Sequence, residues 1–517
     1  MLHLGMRNNW TDRIETGADG MDMKTYLSLD ATALAELVKK GEASPRELVE
    51  LSFRRLDEVE PKLHAFTAER HEQALLEAEN GGNGIFGGVP VALKNISQAL
   101  AGERLSAGSK LLADSRPERD SHFVARLKVA GFIPIGHTNT PEFGLKNISE
   151  PELFGPTHNP WNTDHSPGGS SGGAAAAVAS GIVPVAGASD GGGSIRIPAS
   201  FTGLFGLKPT RGRTPVGPGA GRQWQGASID FALSRTVRDS AALLDELQVV
   251  QPEAAFQTPL FPGKYTEQLD RGFDKPLSIA FSVESPVGTL VSEEAKQAVL
   301  KTVRWLEGQG HRVEEKTPDI DGVQLMREYY LMNSGEMALL KKNLEQSLGR
   351  RLTEDDMEIE SWLLATAGRR VSAADYSASL AAWDAAAAKM AALHERFDFY
   401  ITPATAHAAP EIGELSHSPE SRTRLLQALD MARDATDQQE LIYAMFLPSL
   451  SYTPFTQLAN LTGQPAMSLP LHVTEANLPL GVQVMAQKGE EHRLLQLAKQ
   501  IEQSDLWIGQ QGNPLFQ

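Results

Sequence analysis

Hydrophobic residues along the chain follow two spacings, which predict two kinds of element. Short apolar runs bounded by Gly or Pro predict buried strands. Six runs have this form: residues 89–93, 132–135, 182–186, 277–281, 399–402 and 481–486. Segments with apolar residues every three or four positions lie between most of these runs and predict helices. Strands that alternate with helices predict an α/β fold built on a central sheet.

Two helix starts near the N-terminus carry capping signals. One helix is predicted to begin near Asp30 and to stop at Gly41. The next is predicted to begin at Ser44, because Pro45 suits the first helical position and Glu47 completes a capping box with the serine. We interpret both helices as packing elements.

The spread of the apolar runs indicates how the chain is divided. Strands predicted from about residue 89 to residue 486 favour one large domain, which we assign to residues 25–517. Residues 290–395 have a mostly helical pattern and are expected to form a helical cap or layer. Residues 1–24 are predicted to be a loose lead-in.

The overall charge and the absence of cysteine exclude several functions. The chain has 517 residues, with 48 Lys and Arg against 65 Asp and Glu, so its formal net charge is −17. Such a chain has no overall attraction for nucleic acid or an anionic membrane. The absence of Cys excludes disulfides, thiolate metal sites and a cysteine nucleophile. Neither a signal-peptide pattern nor an apolar stretch of roughly 18 residues is found, so a cytoplasmic location is expected.

Two segments rich in Gly and Ser, 166–173 and 189–198, suggest chemistry. A flexible linker is one interpretation, but helix and strand patterns flank both segments closely. A phosphate-binding loop is another, although the Gly-Lys-Ser/Thr ending is missing. The chemical interpretation makes Ser194 a nucleophile, because the glycines before it let backbone N–H groups converge on one point. The predicted oxyanion hole consists of Gly191, Gly192, Gly193 and Ser194.

A serine nucleophile needs a base. The nearest histidines in the sequence are His137, His158 and His165. None falls in a recognisable pattern, and we interpret them as surface or structural residues. Lys94 is the other candidate, because it ends the apolar run 89–93 and burial lowers the pKa of a lysine. An ordinary lysine at a strand end, or one paired with Asp190, fits this pattern equally well.

Taken together, these motifs resemble the amidase signature family. The likeness is densest in residues 169–173 and 190–198 and continues through Gly-Leu-Lys-Pro-Thr at 206–210. Further similar segments are 136–139, 142–143, 159–162, 454–456 and 463–470. The last of these is similar to bacterial amidases of the 6-aminohexanoate-cyclic-dimer hydrolase group. The resemblance implies an α/β fold in a single large domain, with a mixed central β-sheet covered by helices on both faces.

The family resemblance implies an amidase with a Ser–Ser–Lys triad and an acyl-enzyme intermediate. Lys94 matches the base, and Ser194 matches the nucleophile. Ser170 matches the bridging serine, which in the family follows a cis peptide bond. An uncharged Lys94 would draw a proton from Ser194 through Ser170.

The resemblance also implies supporting residues and partners. Ser171 and Asp190 are expected to fix the loops, and Arg196 to be a structural ion partner. Neither a metal nor another cofactor is implied. The expected partner is a small-molecule amide, with no nucleic acid and no membrane, and a homodimer is left open.

The substrate itself is not indicated by the sequence. Several large residues in the second half either line an acyl pocket or belong to the core: Tyr329, Tyr330, Met332, Trp362, Tyr443 and Phe446. An alternative function is a glutamine-dependent transamidase component, resembling the A subunit of the glutamyl-tRNA amidotransferase.

Overall fold

The predicted strands join in one sheet in the computed structural model, which describes residues 21–516. Over this range the strands are β1 (Phe66–Glu69), β2 (Pro90–Lys94), β3 (Ile133–Thr138), β4 (Val185–Asp190), β5 (Phe205–Lys208), β6 (Ile229–Ser234), β7 (Ser278–Phe281), β8 (Arg312–Glu315), β9 (Phe399–Pro403), β10 (Ala466–Val473) and β11 (Pro479–Ala486). They lie side by side in the order β1-β3-β2-β4-β6-β5-β10-β11-β9-β7-β8.

Helices connect and cover these strands. Within residues 21–516 the α-helices are α1 (Met23–Ser28), α2 (Ala31–Lys40), α3 (Pro45–Leu63), α4 (His71–Asn80), α5 (His122–Val129), α6 (Gly172–Ala179), α7 (Arg196–Thr202), α8 (Val237–Leu247), α9 (Glu293–Gly308), α10 (Gly322–Leu348), α11 (Ile359–Gly368), α12 (Ala373–His394), α13 (Pro419–Met431), α14 (Ala435–Tyr452), α15 (Gln457–Thr462) and α16 (Glu491–Glu502). None of the helices in this range is both long enough and apolar enough to cross a membrane.

The sheet is mixed, as predicted. Strand β2 runs parallel to both β3 and β4, and β7 runs parallel to β8 and β9. The other pairings, including β4 with β6 and β10 with β11, are antiparallel. Every residue of β2, β3, β4 and β6 is buried. Strands buried at every position are covered on both faces, so the predicted α/β architecture is confirmed.

The predicted helix starts are confirmed by their caps. The Asp30 side chain accepts a hydrogen bond from the backbone N–H of Ala33, and α2 ends at Gly41 in the left-handed conformation. Ser44 accepts from the N–H of Glu47, whose side chain accepts in return from the N–H of Ser44. This reciprocal pair satisfies two N–H groups that a helix start leaves without partners.

The apolar runs predicted six of the strands, namely β2, β3, β4, β7, β9 and β11. The second Gly- and Ser-rich segment begins at residue 189, and β4 reaches four residues beyond the predicted run into it, ending at Asp190. The remaining strands lacked a continuous apolar run. For example, β8 is an edge strand that is mostly exposed and charged, and β5 is only four residues long.

The segment 290–395, predicted as a helical cap or layer, contains α9, α10, α11 and α12 together with the edge strand β8. Helices α10, α11 and α14 pack around a second apolar core, separate from the large core under the sheet. Residues 1–20 of the predicted lead-in lie outside the described residues. The last two residues of the predicted lead-in, Met23 and Lys24, belong to α1. Asp22 caps this helix, because its side chain accepts a hydrogen bond from the N–H of Thr25.

Candidate active site

Lys94 is the last residue of β2, and its side chain is fully buried. Its Nζ atom lies 2.7 Å from Ser170 Oγ and 2.9 Å from Ser189 Oγ. Parallel neighbours end at the same edge of a sheet, so β2 brings Lys94 to the end of β4, where Ser189 lies. Lys94 is therefore held by two neutral hydroxyl groups.

The surroundings of Lys94 favour the uncharged amine. Burial lowers its pKa from 10.5 to about 7, because the charged form loses its hydration. The negative charges of Asp230 and Asp190 act in the opposite direction and raise this pKa. The balance leaves a substantial neutral fraction near pH 7, which is the condition for a lysine base.

Ser170 and Ser171 occupy the turn before α6. The Gly169–Ser170 peptide bond is cis. Ser171 Oγ donates a hydrogen bond to the backbone oxygen of Ser189 at 3.2 Å and accepts one from the Ser189 N–H at 3.3 Å. These two bonds link the first Gly- and Ser-rich segment to the end of β4, as expected of a supporting residue.

Ser194 lies in the turn after β4, where it is half-buried and lines a cavity of about 880 Å³. Ser170 and Ser189 line the same cavity. Among the described residues, Ser194 Oγ has no hydrogen-bond partner, so the predicted contact between the two triad serines is not formed in this state. Catalytic hydrogen bonds are often long in unliganded enzymes and tighten when a substrate binds.

Asp190 is fully buried and fixes this turn. Its carboxylate accepts hydrogen bonds from Arg196 Nε at 2.9 Å and Nη2 at 2.8 Å, and from Asn460 Nδ2 at 2.8 Å. The Arg196 guanidinium holds the pKa of this carboxyl well below its usual range. Arg196 reaches further, to the backbone oxygen of Thr456 and to Gln483. The expected ion pair is therefore present at the centre of a hydrogen-bond network.

The predicted oxyanion hole needs one correction. The N–H of Gly193 donates to Asp190 Oδ1 at 2.7 Å, which removes it from the set of free donors. The N–H groups of Gly191, Gly192 and Ser194 have no acceptor among residues 21–516. All three residues line the cavity. The candidate donors are therefore these three.

The remaining candidates from the sequence divide between cavity and core. Tyr329, Tyr330 and Phe446 line the cavity. Met332, Trp362 and Tyr443 are not among its lining residues. Met332 is buried in the core with Trp383, Trp362 packs under Lys341 Nζ, and Tyr443 packs under the Arg327 guanidinium.

None of the three histidines considered as bases lines the cavity. His137 Nε2 lies 3.1 Å from the backbone oxygen of Gln98, and His158 Nδ1 lies 2.6 Å from that of Thr163. His165 forms an isolated backbone bridge with Glu411. Within residues 21–516, no cluster of three or more His, Asp or Glu side chains is arranged to hold a metal ion.

Ser189 is the residue that the sequence analysis missed. It directly precedes Asp190, and it contacts Lys94 as closely as Ser170 does, to within a few tenths of an ångström. A strand prediction that continued to the end of β4 would have shown it at the same sheet edge as Lys94.

Comparison with known proteins agrees with the fold. The family model described as Amidase matches residues 47–495. The chain therefore belongs to the amidase family, and it is a hydrolase that acts on carbon–nitrogen bonds.

Three relatives give this assignment more detail. Lipoamidase from Enterococcus faecalis is 38% identical over 503 residues, which cover 96% of this chain and 66% of the lipoamidase, just under two thirds of its length. The structure of 6-aminohexanoate cyclic dimer hydrolase complexed with substrate is 34% identical, with a TM-score of 0.86 and coverage of 95% of this chain and 100% of that one. A second structure, that of the A subunit of the glutamyl-tRNA(Gln) amidotransferase from Thermotoga maritima, is 25% identical, with a TM-score of 0.70 and coverage of 95% of this chain and 97% of that one.

Proposed function

We propose that this amidase cleaves its substrate through a Ser–Ser–Lys triad of Lys94, Ser170 and Ser194, with an acyl-enzyme intermediate. The observation that carries the proposal is the buried Lys94 amine, with its pKa lowered to about 7, at 2.7 Å from Ser170 Oγ. Ser170 and Ser194 line one cavity, so a substrate bound there meets both hydroxyl groups.

The first step forms the acyl-enzyme. Neutral Lys94 takes a proton from Ser170, which takes the proton of Ser194, and Ser194 Oγ attacks the amide carbonyl carbon. The carbonyl oxygen becomes an oxyanion. The C–N bond then breaks, and the leaving amine receives a proton from Ser170, which is reprotonated by Lys94.

The second step repeats this sequence with water in place of Ser194. Water gives its proton to the Ser170–Lys94 relay and attacks the acyl carbon. The ester bond to Ser194 then breaks, and Ser194 recovers its proton as the carboxylic acid product leaves. The proton balance closes, because Lys94 is again neutral at the end of the cycle.

The oxyanion of both steps is proposed to be held by the free N–H groups of Gly191, Gly192 and Ser194. Losing one donor of such a site typically costs about 2.7–4 kcal/mol of transition-state stabilisation. The buried Asp190–Arg196 pair supports this role, because it fixes the turn that carries all three groups.

We propose an aliphatic amide as the substrate class. Apolar side chains form much of the cavity wall, including Phe143, Leu145, Tyr330, Phe446 and Leu450. Such walls bind hydrocarbon rather than a highly charged group. The relatives named lipoamidase and 6-aminohexanoate-cyclic-dimer hydrolase are, by name, enzymes of aliphatic amides.

The nucleophile is tested with a fluorophosphonate probe followed by peptide mass spectrometry. We expect a single modified residue, Ser194, in folded protein and none in heat-denatured protein. Ser194→Ala should be unlabelled and inactive while keeping the wild-type melting temperature. A label on another serine, or catalysis by Ser194→Ala within severalfold of wild type, would overturn the proposal.

The transamidase alternative is tested by substrate. We expect the purified chain alone to hydrolyse linear aliphatic amides, with kcat/KM rising as the acyl chain lengthens. Activity limited to glutamine, or dependent on an added partner protein, would instead favour the transamidase. The higher similarity to the cyclic dimer hydrolase than to the amidotransferase supports the hydrolase.

A further inference from the structure

Three side chains from the second half of the chain hold successive backbone carbonyls of the turn that bears Ser194. Asn460 Nδ2 donates to the oxygen of Asp190 at 2.9 Å. The Tyr329 hydroxyl donates to the oxygen of Gly191 at 3.0 Å, and Thr456 Oγ1 donates to the oxygen of Gly192 at 2.6 Å. The turn is therefore held from outside, one peptide group at a time.

Holding a carbonyl also directs the N–H of the same peptide group. A peptide unit is planar, and in its trans form the C=O and the N–H point in opposite directions. The Gly191 carbonyl shares its plane with the N–H of Gly192. The Tyr329 hydroxyl binds that carbonyl, so the Gly192 N–H points away from Tyr329. Among the described residues it has no acceptor.

We propose that Tyr329 is a positioning residue for the oxyanion hole, acting through the Gly191–Gly192 peptide group. This inference rests on the proposed function, because it assigns the Gly192 N–H to the oxyanion. Tyr329 belongs to α10, in the helical layer, so that layer takes part in setting the geometry of the reaction as well as in lining the cavity.

The packing around Gly192 reflects the same close approach of Tyr329. A Cβ atom added to Gly192 would lie 2.8 Å from the Tyr329 hydroxyl oxygen, whereas one added to Gly191 would meet nothing closer than 3.4 Å. Gly192 does not have a positive φ angle. Glycine at this position is therefore explained by the closeness of Tyr329 rather than by backbone conformation.

The Tyr329 hydroxyl also remains a hydrogen-bond donor under all ordinary conditions. Burial raises its pKa to about 12, because the phenolate would lose its hydration. Its contact with Gly191 is thus expected to be independent of pH across the neutral and mildly alkaline range.

Thr456 provides an internal contrast. It holds the Gly192 carbonyl in the same way, but the N–H of that peptide group belongs to Gly193 and donates to Asp190. Removing this hydroxyl in Thr456→Val should therefore loosen the turn and lower the melting temperature. The effect on binding of an oxyanion should be smaller than for Tyr329→Phe.

The principal test is Tyr329→Phe, which removes one oxygen atom and leaves the ring. We expect kcat/KM to fall by about 10- to 100-fold, mostly in kcat, with KM changed less than about threefold. Ser194 Oγ adds to the carbonyl carbon of a trifluoromethyl ketone inhibitor, and the carbonyl oxygen becomes an oxyanion. Its inhibition constant should rise by the same factor as kcat/KM falls. Tyr452→Phe, which removes a tyrosine hydroxyl that binds Glu414 away from the cavity, should leave both quantities unchanged.

A second test uses the predicted steric contact. Gly192→Ala alone should strongly reduce activity, because its Cβ meets the Tyr329 hydroxyl. Adding Tyr329→Phe removes the atom in contact, so the double variant should be more active than Gly192→Ala alone. A double variant that is less active than Gly192→Ala would contradict the assigned contact.

The outcomes separate this inference from the proposed function. If the probe labels Ser194 but Tyr329→Phe changes KM while the ketone inhibition constant stays constant, Tyr329 is a substrate-binding residue and the inference is wrong. If the probe does not label Ser194 in wild-type protein, the proposed function fails first. A parallel loss in kcat/KM and ketone affinity, with labelling of Ser194 retained, supports both.

Discussion

Lys94 and Asp190 end neighbouring strands and are both fully buried, yet their environments are opposite. Lys94 contacts two neutral hydroxyl groups, and among residues 21–516 no carboxylate lies within ion-pair distance of its amine. Asp190 contacts a guanidinium, a side-chain amide and backbone N–H groups. One buried charge is left without a counter-ion, and the other is fully compensated.

The difference shows how a single sheet edge supplies both a titrating group and a fixed one. Without a counter-ion, burial brings the pKa of Lys94 to about 7, where it can gain and lose a proton. With Arg196 beside it, Asp190 stays ionised throughout the physiological range. The permanent charge fixes the turn, and the variable charge is available for catalysis.

The largest expected effect comes from replacing the uncompensated charge. Lys94→Met should lower kcat/KM by about 10⁴-fold or more, because the proposed relay loses its proton acceptor. At pH 6 the same variant should be more stable than wild type by about 2 kcal/mol. A fall in pKa from 10.5 to about 7 corresponds to about 5 kcal/mol that opposes folding of the charged form, and the loss of bonds to Ser170 and Ser189 offsets part of the gain.

Urea denaturation at several pH values checks this prediction. The folded-state pKa of Lys94 lies below its unfolded value, so the unfolded chain binds more protons between about pH 7 and pH 10.4. Wild-type stability should gain a contribution from Lys94 as pH rises through this window, and Lys94→Met should lack that contribution. A Lys94→Met protein that is less stable than wild type at pH 6 would contradict the uncompensated charge.

The next largest effect comes from breaking the compensated site. Arg196→Met should lower the free energy of unfolding by about 3–5 kcal/mol, because Asp190 remains buried without its counter-ion. Arg433→Met is the matched control, since it breaks the exposed ion pair with Asp437 and should give no resolvable change. The urea unfolding midpoints of the two variants are compared. Equal midpoints would mean that the Asp190–Arg196 pair does not stabilise the fold.

The same comparison shows what the sequence could predict. Lys94 is a lysine at the end of a buried strand, and so is Lys208 at the end of β5. Lys208 is equally buried, and its pKa is also lowered to about 7. Its Nζ donates to the backbone oxygen of Pro209, and it does not line the cavity. The burial of Lys94 is thus predictable from the apolar run before it, whereas its contact with a serine 76 positions away depends on the fold.

The fold itself was predictable where hydrophobic patterning was strong. Helix caps and strands with a continuous apolar run depend on neighbouring residues, and they were predicted correctly, whereas β5 and β6, which are just as buried, were not predicted. The contacts of Ser189 and Tyr329 with the site depend on strand order and on the approach of α10, which no local pattern records. The commitment of the Gly193 N–H to Asp190 was unpredictable for the same reason, since it depends on the conformation of the turn.

A moderate effect should separate the two hydroxyl partners of Lys94. Ser189→Ala should lower kcat/KM by about tenfold, because it removes one hydrogen bond to the base without interrupting the proposed relay. Ser170→Ala, the matched variant, should lower it by about 10³-fold or more. Steady-state kinetics on one amide substrate compare the two. A larger loss of kcat/KM for Ser189→Ala than for Ser170→Ala would indicate that Ser189, rather than Ser170, is the bridging serine.

The smallest effect is expected from Asp230, whose negative charge raises the pKa of Lys94 without a direct contact. In wild type, kcat/KM should rise about tenfold per pH unit below pH 7 and level off above it, because only the neutral amine accepts a proton. Asp230 is buried and attracts the charged form of Lys94, so Asp230→Asn should lower the pKa of Lys94 and move the midpoint to lower pH by a few tenths of a unit. The hydrogen bonds that Asp230 accepts from Ser97 and Gln98 can be kept by the Asn oxygen, and the side-chain amide of Gln223 can rotate to accept from the new NH₂ group.

The control for this last change is Asp114→Asn, which removes an equal charge from an almost fully exposed side chain and should leave the midpoint unchanged. The two pH profiles, measured at the same ionic strength, separate a local field from a change in net charge. If both variants shift the midpoint equally, the pKa of Lys94 responds to the overall charge of the protein. If Asp230→Asn moves the midpoint upward, the group that limits the rate at low pH is not Lys94, and the contrast between the uncompensated and compensated sites loses its catalytic meaning.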